Sequence, residues 1–282
     1  MLDTLGQQMP FVKMQGSGND FVVIDNRDKR VPMEAMADWA RAVCRRAFGV
    51  GADGIFFLEN PPADRPGVDF IWHFYNADGS RAEMCGNGSR CAARLAYLLG
   101  IAPARHAIGT DAGPVRAEVL DSGRVKVQLT PAKDARLDIA LPAADHTWRA
   151  HFVNTGVPHT VIFVDDVAKV DLPGLGRAVR YHETFRPKGT NANFAQVVDR
   201  KTMLLRTYER GVEAETYACG TGASAAVYLA HKLGLTGPEV DVTTSGGERL
   251  TISVDGNNVF LAGAATVTFT GNLLLESVGL KL

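Results

Sequence analysis

Two stretches of this chain are copies of one another, and that duplication limits its folds more than any other feature. Cys85–Ile101 reads CGNGSRCAARLAYLLGI and Cys219–Leu235 reads CGTGASAAVYLAHKLGL. Eight of the seventeen positions coincide: the leading Cys, the two Gly that follow it, Ala92/Ala226, Leu95/Leu229, Ala96/Ala230, Leu99/Leu233 and Gly100/Gly234. The likeness extends upstream, where Tyr75-Asn76 leads into the first copy much as Tyr208-Glu209 leads into the second. Gly16 to Asp25 and Gly156 to Asp165 both read as a turn followed by a strand. A chain of 282 residues has room for about two domains. The expected layout is an N-terminal extension over 1–10, one domain over 11–140 and a related one over 150–275, joined near Leu141-Pro142-Ala143. Residues 276–282 then pack back or form a tail.

Strand patterns dominate: Phe21–Ile24, Phe70–Tyr75, Val115–Leu129, Val161–Val164, Leu250–Val254 and Val259–Thr268. Turns such as Asp121-Ser-Gly123 and Asp255-Gly-Asn257 suit antiparallel hairpins. Helical spacing of apolar residues appears over Glu34–Phe48, ahead of Gly49, and over Gly88–Gly100 and Gly222–Gly234. The fold class is therefore α+β and not a regular βαβ alternation. Lys and Arg total 30 against 31 Asp and Glu, which excludes the basic excess of a nucleic-acid binder. The opening MLDTLGQQMP lacks the basic and apolar regions of a signal peptide, and no span reads as a membrane helix. Four cysteines are too few for a disulfide scaffold of this length, so a cytoplasmic chain with reduced thiols is expected.

Each repeated cysteine precedes a helix and is followed by Gly-x-Gly. The first N–H groups of that helix lack intrahelical acceptors, and the dipole directs positive charge to the same place. Such a site holds a carboxylate. It also lowers a thiol pKa, into a range of about 3.5–7.5 at helix N-termini. Two related domains facing one small ligand would set one thiol on each face of an α-carbon. One thiolate then removes the α-proton while the opposite thiol delivers another, inverting the centre without a cofactor. The N–H donors would stabilise the charge that develops on the carboxylate. Cys44 and Cys91 sit inside amphipathic helices and read as packing residues. Neither motif is C-x-x-C, no histidine pair has metal-ligand spacing, and the Gly-rich turns match no phosphate loop. A non-catalytic amino-acid binding protein using the same cleft is the alternative from another class.

At these residues the sequence resembles the diaminopimelate epimerase family. The matching segments are Lys13–Phe21 (KMQGSGNDF), Asn76–Ser80 (NADGS), Met84–Cys91 (MCGNGSRC), Tyr208–Gly211 (YERG) and Glu215–Ala223 (ETYACGTGA). The resemblance implies two pseudo-symmetric domains, each a curved, mostly antiparallel sheet around a central helix. It also implies a homodimer, no cofactor, no metal, and a small amino-acid substrate. Carried over position by position, Cys85 and Cys219 are the acid–base thiols. Gly86, Asn87, Gly220 and Thr221 face the reacting carboxylate. Asn19, Asn76, Asn191, Glu209 and Arg210 bind the rest of the substrate, and His159 and Glu209 tune the thiols. Proline racemase and hydroxyproline epimerase, also of this superfamily, would be expected to carry His where Asn87 stands. The chain departs from the family pattern at Val157, where Asn is common, and at Gly54, where many members have Gln. Asn154 is the candidate to supply the missing amide. The substrate thus stays open between diaminopimelate and another amino acid of the proline, hydroxyproline or histidine type.

Overall fold

The computed structural model describes residues 6–120 and 122–282, so residues 1–5 of the expected extension and Asp121 of the expected turn lie outside it. In chain order the elements begin with β1 (Gln8–Gly16), β2 (Asn19–Asp25), α1 (Met36–Val43), β3 (Gly54–Glu59), β4 (Phe70–Asn76) and α2 (Gly86–Leu98). Next come β5 (Arg105–Thr110), β6 (Gly113–Val119), β7 (Arg124–Gln128), β8 (Lys133–Ala143), β9 (His146–Asn154) and β10 (Pro158–Phe163). A short α3 (Arg177–Arg180) precedes β11 (Asn191–Asp199), β12 (Thr202–Glu209), β13 (Ala214–Thr216) and α4 (Gly220–Lys232). The chain ends with β14 (Glu239–Thr244), β15 (Arg249–Asp255), β16 (Asn258–Ala264) and β17 (Thr266–Leu274). One compact unit comprises the described residues up to Val127 together with Ala264–Leu282, and the other is Gln128–Gly263. Leu141-Pro142-Ala143, the expected joint, forms the end of β8 inside the second unit.

Each unit repeats the other's pairing. In the first, β1 runs antiparallel to β17 and β2, β2 is parallel to β3, and β3 is antiparallel to β4. β4 is parallel to β5 across α2, and β5, β6 and β7 meander. In the second, β9 runs antiparallel to β8 and β10, β10 is parallel to β11, and β11 is antiparallel to β12. β12 is parallel to β14 across α4, and β14, β15 and β16 meander. Parallel neighbours need a crossover, and the helices supply it. The α2 helix packs against β1, β2, β5, β6 and β17, and α4 against β9, β10, β11, β14 and β15. Both are thus central helices, each packed among the strands of its own unit. Close approach is possible because their inner turns are built from Ala92, Ala93 and Ala96, and from Ala223, Ala225, Ala226 and Ala230, all buried. Two faces of β3 are covered: Ile55 and Phe57 join Met36, Trp39 and Val43 of α1, while Phe56 stacks with Trp72. That is why β3 reads as a continuous apolar run instead of alternating.

Two expected elements end differently. The helix expected over Glu34–Phe48 is a 3₁₀ turn followed by α1, which stops at Val43. The carbonyls of Val43 and Cys44 accept the N–H groups of Gly51 and Ala52 instead of the next helical turn, and Ala47 takes a φ of 68°. The strand expected over Val259–Thr268 divides at Ala265, where the carbonyls of Ala264 and Ala265 accept Arg90 and Arg94 of α2. Residues 276–282 pack back: Leu280 and Val278 lie against the cluster around α1, and the Leu275 N–H donates to the Gln7 carbonyl at 3.0 Å. Among the described residues no helix is long and apolar enough to cross a membrane.

Candidate active site

In the first unit Cys85 is the N-cap of α2, extended at φ −145° and ψ 121°, with Sγ accepting the Gly88 N–H at 3.4 Å. Gly86 and Asn87 form the first turn of the helix. Gly88 must be glycine, since a Cβ there would run into the Phe56 ring. Asn87 Nδ2 donates to Asn19 Oδ1 at 2.6 Å, and Asn19 Nδ2 donates to Asp53 Oδ2 at 3.0 Å. Arg46 anchors this relay through Asp53 Oδ1 at 3.0 Å. Asn76 is exposed at the end of β4, where its amide donates to Ser80 Oγ at 2.9 Å. Gly54 offers no side chain, and none fits: a Cβ would sit 2.6 Å from Phe74 Cε2 and 2.8 Å from the Tyr75 carbonyl.

In the second unit Cys219 caps α4 in the same extended conformation, with Sγ 3.6 Å from Thr221 Oγ1. Glu209 closes β12 nearby; burial raises its carboxyl, and hydrogen bonding towards Thr216 and then Cys219 offsets part of that rise. His159, fully buried on β10, is held neutral by burial, its pKa pushed down to about 3. Asn191 Nδ2 donates to the Pro158 carbonyl at 2.9 Å, and its Oδ1 accepts the Arg210 N–H at 2.8 Å. The Arg210 guanidinium reaches the Lys188 carbonyl at 3.2 Å. Asn154 caps its own turn by accepting the Gly156 N–H at 2.9 Å, and the Val157 carbonyl accepts the Thr155 N–H at 3.3 Å. The contact from this turn to the helix start comes from Thr155, whose Oγ1 donates to the Thr221 carbonyl at 3.0 Å.

One sequence expectation needs correcting. The thiols are not lowered by their helix termini. Burial raises Cys85 despite hydrogen bonds from the Gly88 and Asn87 N–H groups. Burial and then the Glu209 charge push Cys219 up to about 12. Desolvation of a charged sulfur outweighs the partial charge of the helix end. Cys44 and Cys91 are buried, each pushed up to about 12 chiefly by burial.

The comparisons with known proteins fall on this architecture. A family model described as diaminopimelate epimerase matches residues 11–134 and 151–268. The chain belongs to the diaminopimelate epimerase family. A diaminopimelate epimerase of a Hydrogenobaculum species is 48% identical over 277 residues, covering 95% of this chain and 99% of that protein. Another, from Aquifex aeolicus, is 50% identical over 278 residues, covering 95% and 99%. These relatives are isomerases, and so by family is this chain. A crystal structure of a hydroxyproline epimerase from Agrobacterium vitis shares the fold at a TM-score of 0.64 and 16% identity, covering 98% of this chain and 96% of that one.

Within this epimerase fold the strand registers align the two copies residue by residue. Phe21 pairs with Gly54 as His159 pairs with Asn191. Ile55–Tyr75 and Phe56–Phe74 in one unit answer to Ala192–Tyr208 and Asn193–Thr207 in the other. Gly54 therefore stands where the second unit has Asn191, and Phe56 where it has Asn193. Amide chemistry in the first unit comes instead from Asn19 and Asn87. Sequence reasoning passed over Asp53, Thr155 and Asn193. Asp53 lay in a Gly-Ala-Asp-Gly turn that signalled a polar anchor; Thr155 and Asn193 carried no local signal.

Proposed function

We propose that the chain interconverts LL- and meso-2,6-diaminopimelate, with Cys85 and Cys219 as a cofactor-independent acid–base pair. The observation that carries this reading is the same extended cysteine cap on two topologically equivalent helices, in a chain 48–50% identical to diaminopimelate epimerases. Inversion needs a proton removed from one face of the α-carbon and another delivered to the opposite face, which two thiols in unlike protonation states supply. The N–H groups at Gly86–Asn87 and Gly220–Thr221 hold the α-carboxylate and stabilise charge as the proton leaves. Arg210 offers a bidentate fork to the distal carboxylate, and Asn19, Asn76, Asn191 and Glu209 accept from ammonium groups.

Both thiols rest protonated, so the thiolate has to form inside the site. Transfer of the Cys219 proton to an ionised Glu209 moves a negative charge between neighbours without adding to the buried charge. The enzyme acts on a free amino acid in the cytoplasm, as a homodimer, in this reading. The supporting experiment follows α-proton exchange of LL-diaminopimelate in deuterated water. Wild-type protein should incorporate deuterium and yield the meso isomer, and Cys85→Ala and Cys219→Ala should each lose epimerisation by at least about 10²-fold. Wild-type turnover by either variant refutes the thiol pair. Binding without exchange identifies a binding protein, and faster turnover of proline, 4-hydroxyproline or histidine reassigns the substrate.

A further inference from the structure

Below the start of α4 lies a polar trio, His159, Asn193 and Thr207, each at most 3% exposed. At the corresponding register positions of the first unit stand Phe21, Phe56 and Phe74, whose ring centroids are 4.8, 6.1 and 4.7 Å apart pairwise. The molecule thus contains its own control: the same framework closes with three hydrocarbon rings. Buried polar groups in place of such rings cost stability unless their hydrogen bonds are met, so packing does not explain them.

Their network is directional. Asn193 Nδ2 lies 2.9 Å from the Thr160 carbonyl and 3.3 Å from the Asn191 carbonyl. Carbonyls only accept, so the amide nitrogen faces them, and Asn193 Oδ1 accepts the Thr207 hydroxyl at 3.0 Å. The same Nδ2 is 3.1 Å from His159 Nδ1, so two amide protons are shared among three acceptors; an N–H on Nδ1 would point at this donor, and Nδ1 therefore presents its lone pair. The single proton of the neutral ring is left on Nε2, a buried atom with no hydrogen-bond partner among the described residues. Arg210 adds positive charge nearby, which works against an imidazolium. Gly222 completes the seat, because a Cβ there would strike Asn193 Oδ1.

We infer that Asn193 is a positioning residue that locks His159 in its Nε2–H form, so that His159 meets the reacting centre as a neutral hydrogen-bond donor and not as a base. The tautomer follows from the network alone; the use of the donor rests on the proposed epimerase reading. A desolvated N–H without an acceptor suits an anion that arises during reaction, a thiolate or a substrate carboxylate gaining charge.

Nitrogen-15 correlation spectra of the full-length protein labelled at histidine, with His159 assigned through His159→Gln, test this directly. Between pH 6 and 8, Nε2 should carry the proton and Nδ1 should not. In Asn193→Asp a carboxylate replaces the donor, so the proton should move to Nδ1. The kcat for LL-diaminopimelate should then fall roughly 10²-fold, with KM changed less than about threefold. An Nδ1–H tautomer or a charged ring in the wild-type protein overturns the inference, as does Asn193→Asp with unaltered spectrum and kcat. If that variant fails to fold, the wild-type spectrum alone decides. Absence of diaminopimelate turnover in the wild type defeats the functional reading and leaves the tautomer standing.

Discussion

Asp53 uses both carboxylate oxygens, one toward Asn19 Nδ2 and the Asp20 N–H, the other toward Arg46. A carboxylate only accepts, so Asn19 must turn its NH₂ to Asp53 and its carbonyl to Asn87. Asn87 then gives its own NH₂ to Asn19. Asp53→Asn keeps the shape but offers a donor in place of an acceptor, so the relay loses its direction. Its expected effect is a KM for LL-diaminopimelate raised about tenfold with a smaller change in kcat, read by steady-state kinetics. An unchanged KM would mean that the amide order does not depend on this carboxylate. The cysteine caps were legible in the sequence because cap, glycine and helix are consecutive. The Asp53–Asn19 contact spans 34 positions, and no local pattern announces it.

Among the elements, the two central helices were readable and the strands around them only partly so. Helices α2 and α4 keep near-identical spacing because each must present small residues to an enclosing sheet, whereas strand pairs tolerate any residues that fill the gap, as Phe56 and Asn193 show. The least readable element was β17. It pairs with β1 at Gln8–Leu274 and Met9–Leu273, almost the full length of the chain apart, so only the folded unit reveals it. In the second unit the same place beside β9 is taken by β8, which precedes its partner. The terminal segment is therefore structural. Leu275, 1% exposed within the cluster around Trp39 and Phe57, should on change to alanine cost about 2–5 kcal/mol in urea denaturation. Amide exchange should quicken first in β1, β2 and α1. A loss below about 1 kcal/mol would show that the Leu275 side chain adds little to the core of the first unit.

At the scale of the whole molecule, the buried thiols and imidazoles together set a pH window for stability. Burial pushes Cys44, Cys91 and Cys219 up to about 12 from 9.0. Above pH 9 the unfolded chain releases thiol protons that the folded chain keeps, so stability falls as pH rises, continuing until about pH 12. Burial also holds His73, His106 and His151 below 6.5, and His159 down to about 3. Below pH 6.5 the unfolded chain binds protons that these rings refuse, so stability falls as pH drops, with His159 extending the slope to about pH 3. A fully buried group contributes about 1.4 kcal/mol per pH unit between its two pKa values. Unfolding free energies from urea titrations should therefore be flat between about pH 6.5 and 9 and decline on both sides. Replacing Cys44 and Cys91 together with alanine should lower stability at pH 7, through lost packing, yet flatten the alkaline decline by about two groups' worth. If the double variant lost stability above pH 9 as steeply as the parent, the buried thiols would not be the source. On the proposed thiol-pair mechanism, the same burial that shapes this curve is what Cys85 or Cys219 has to overcome to ionise.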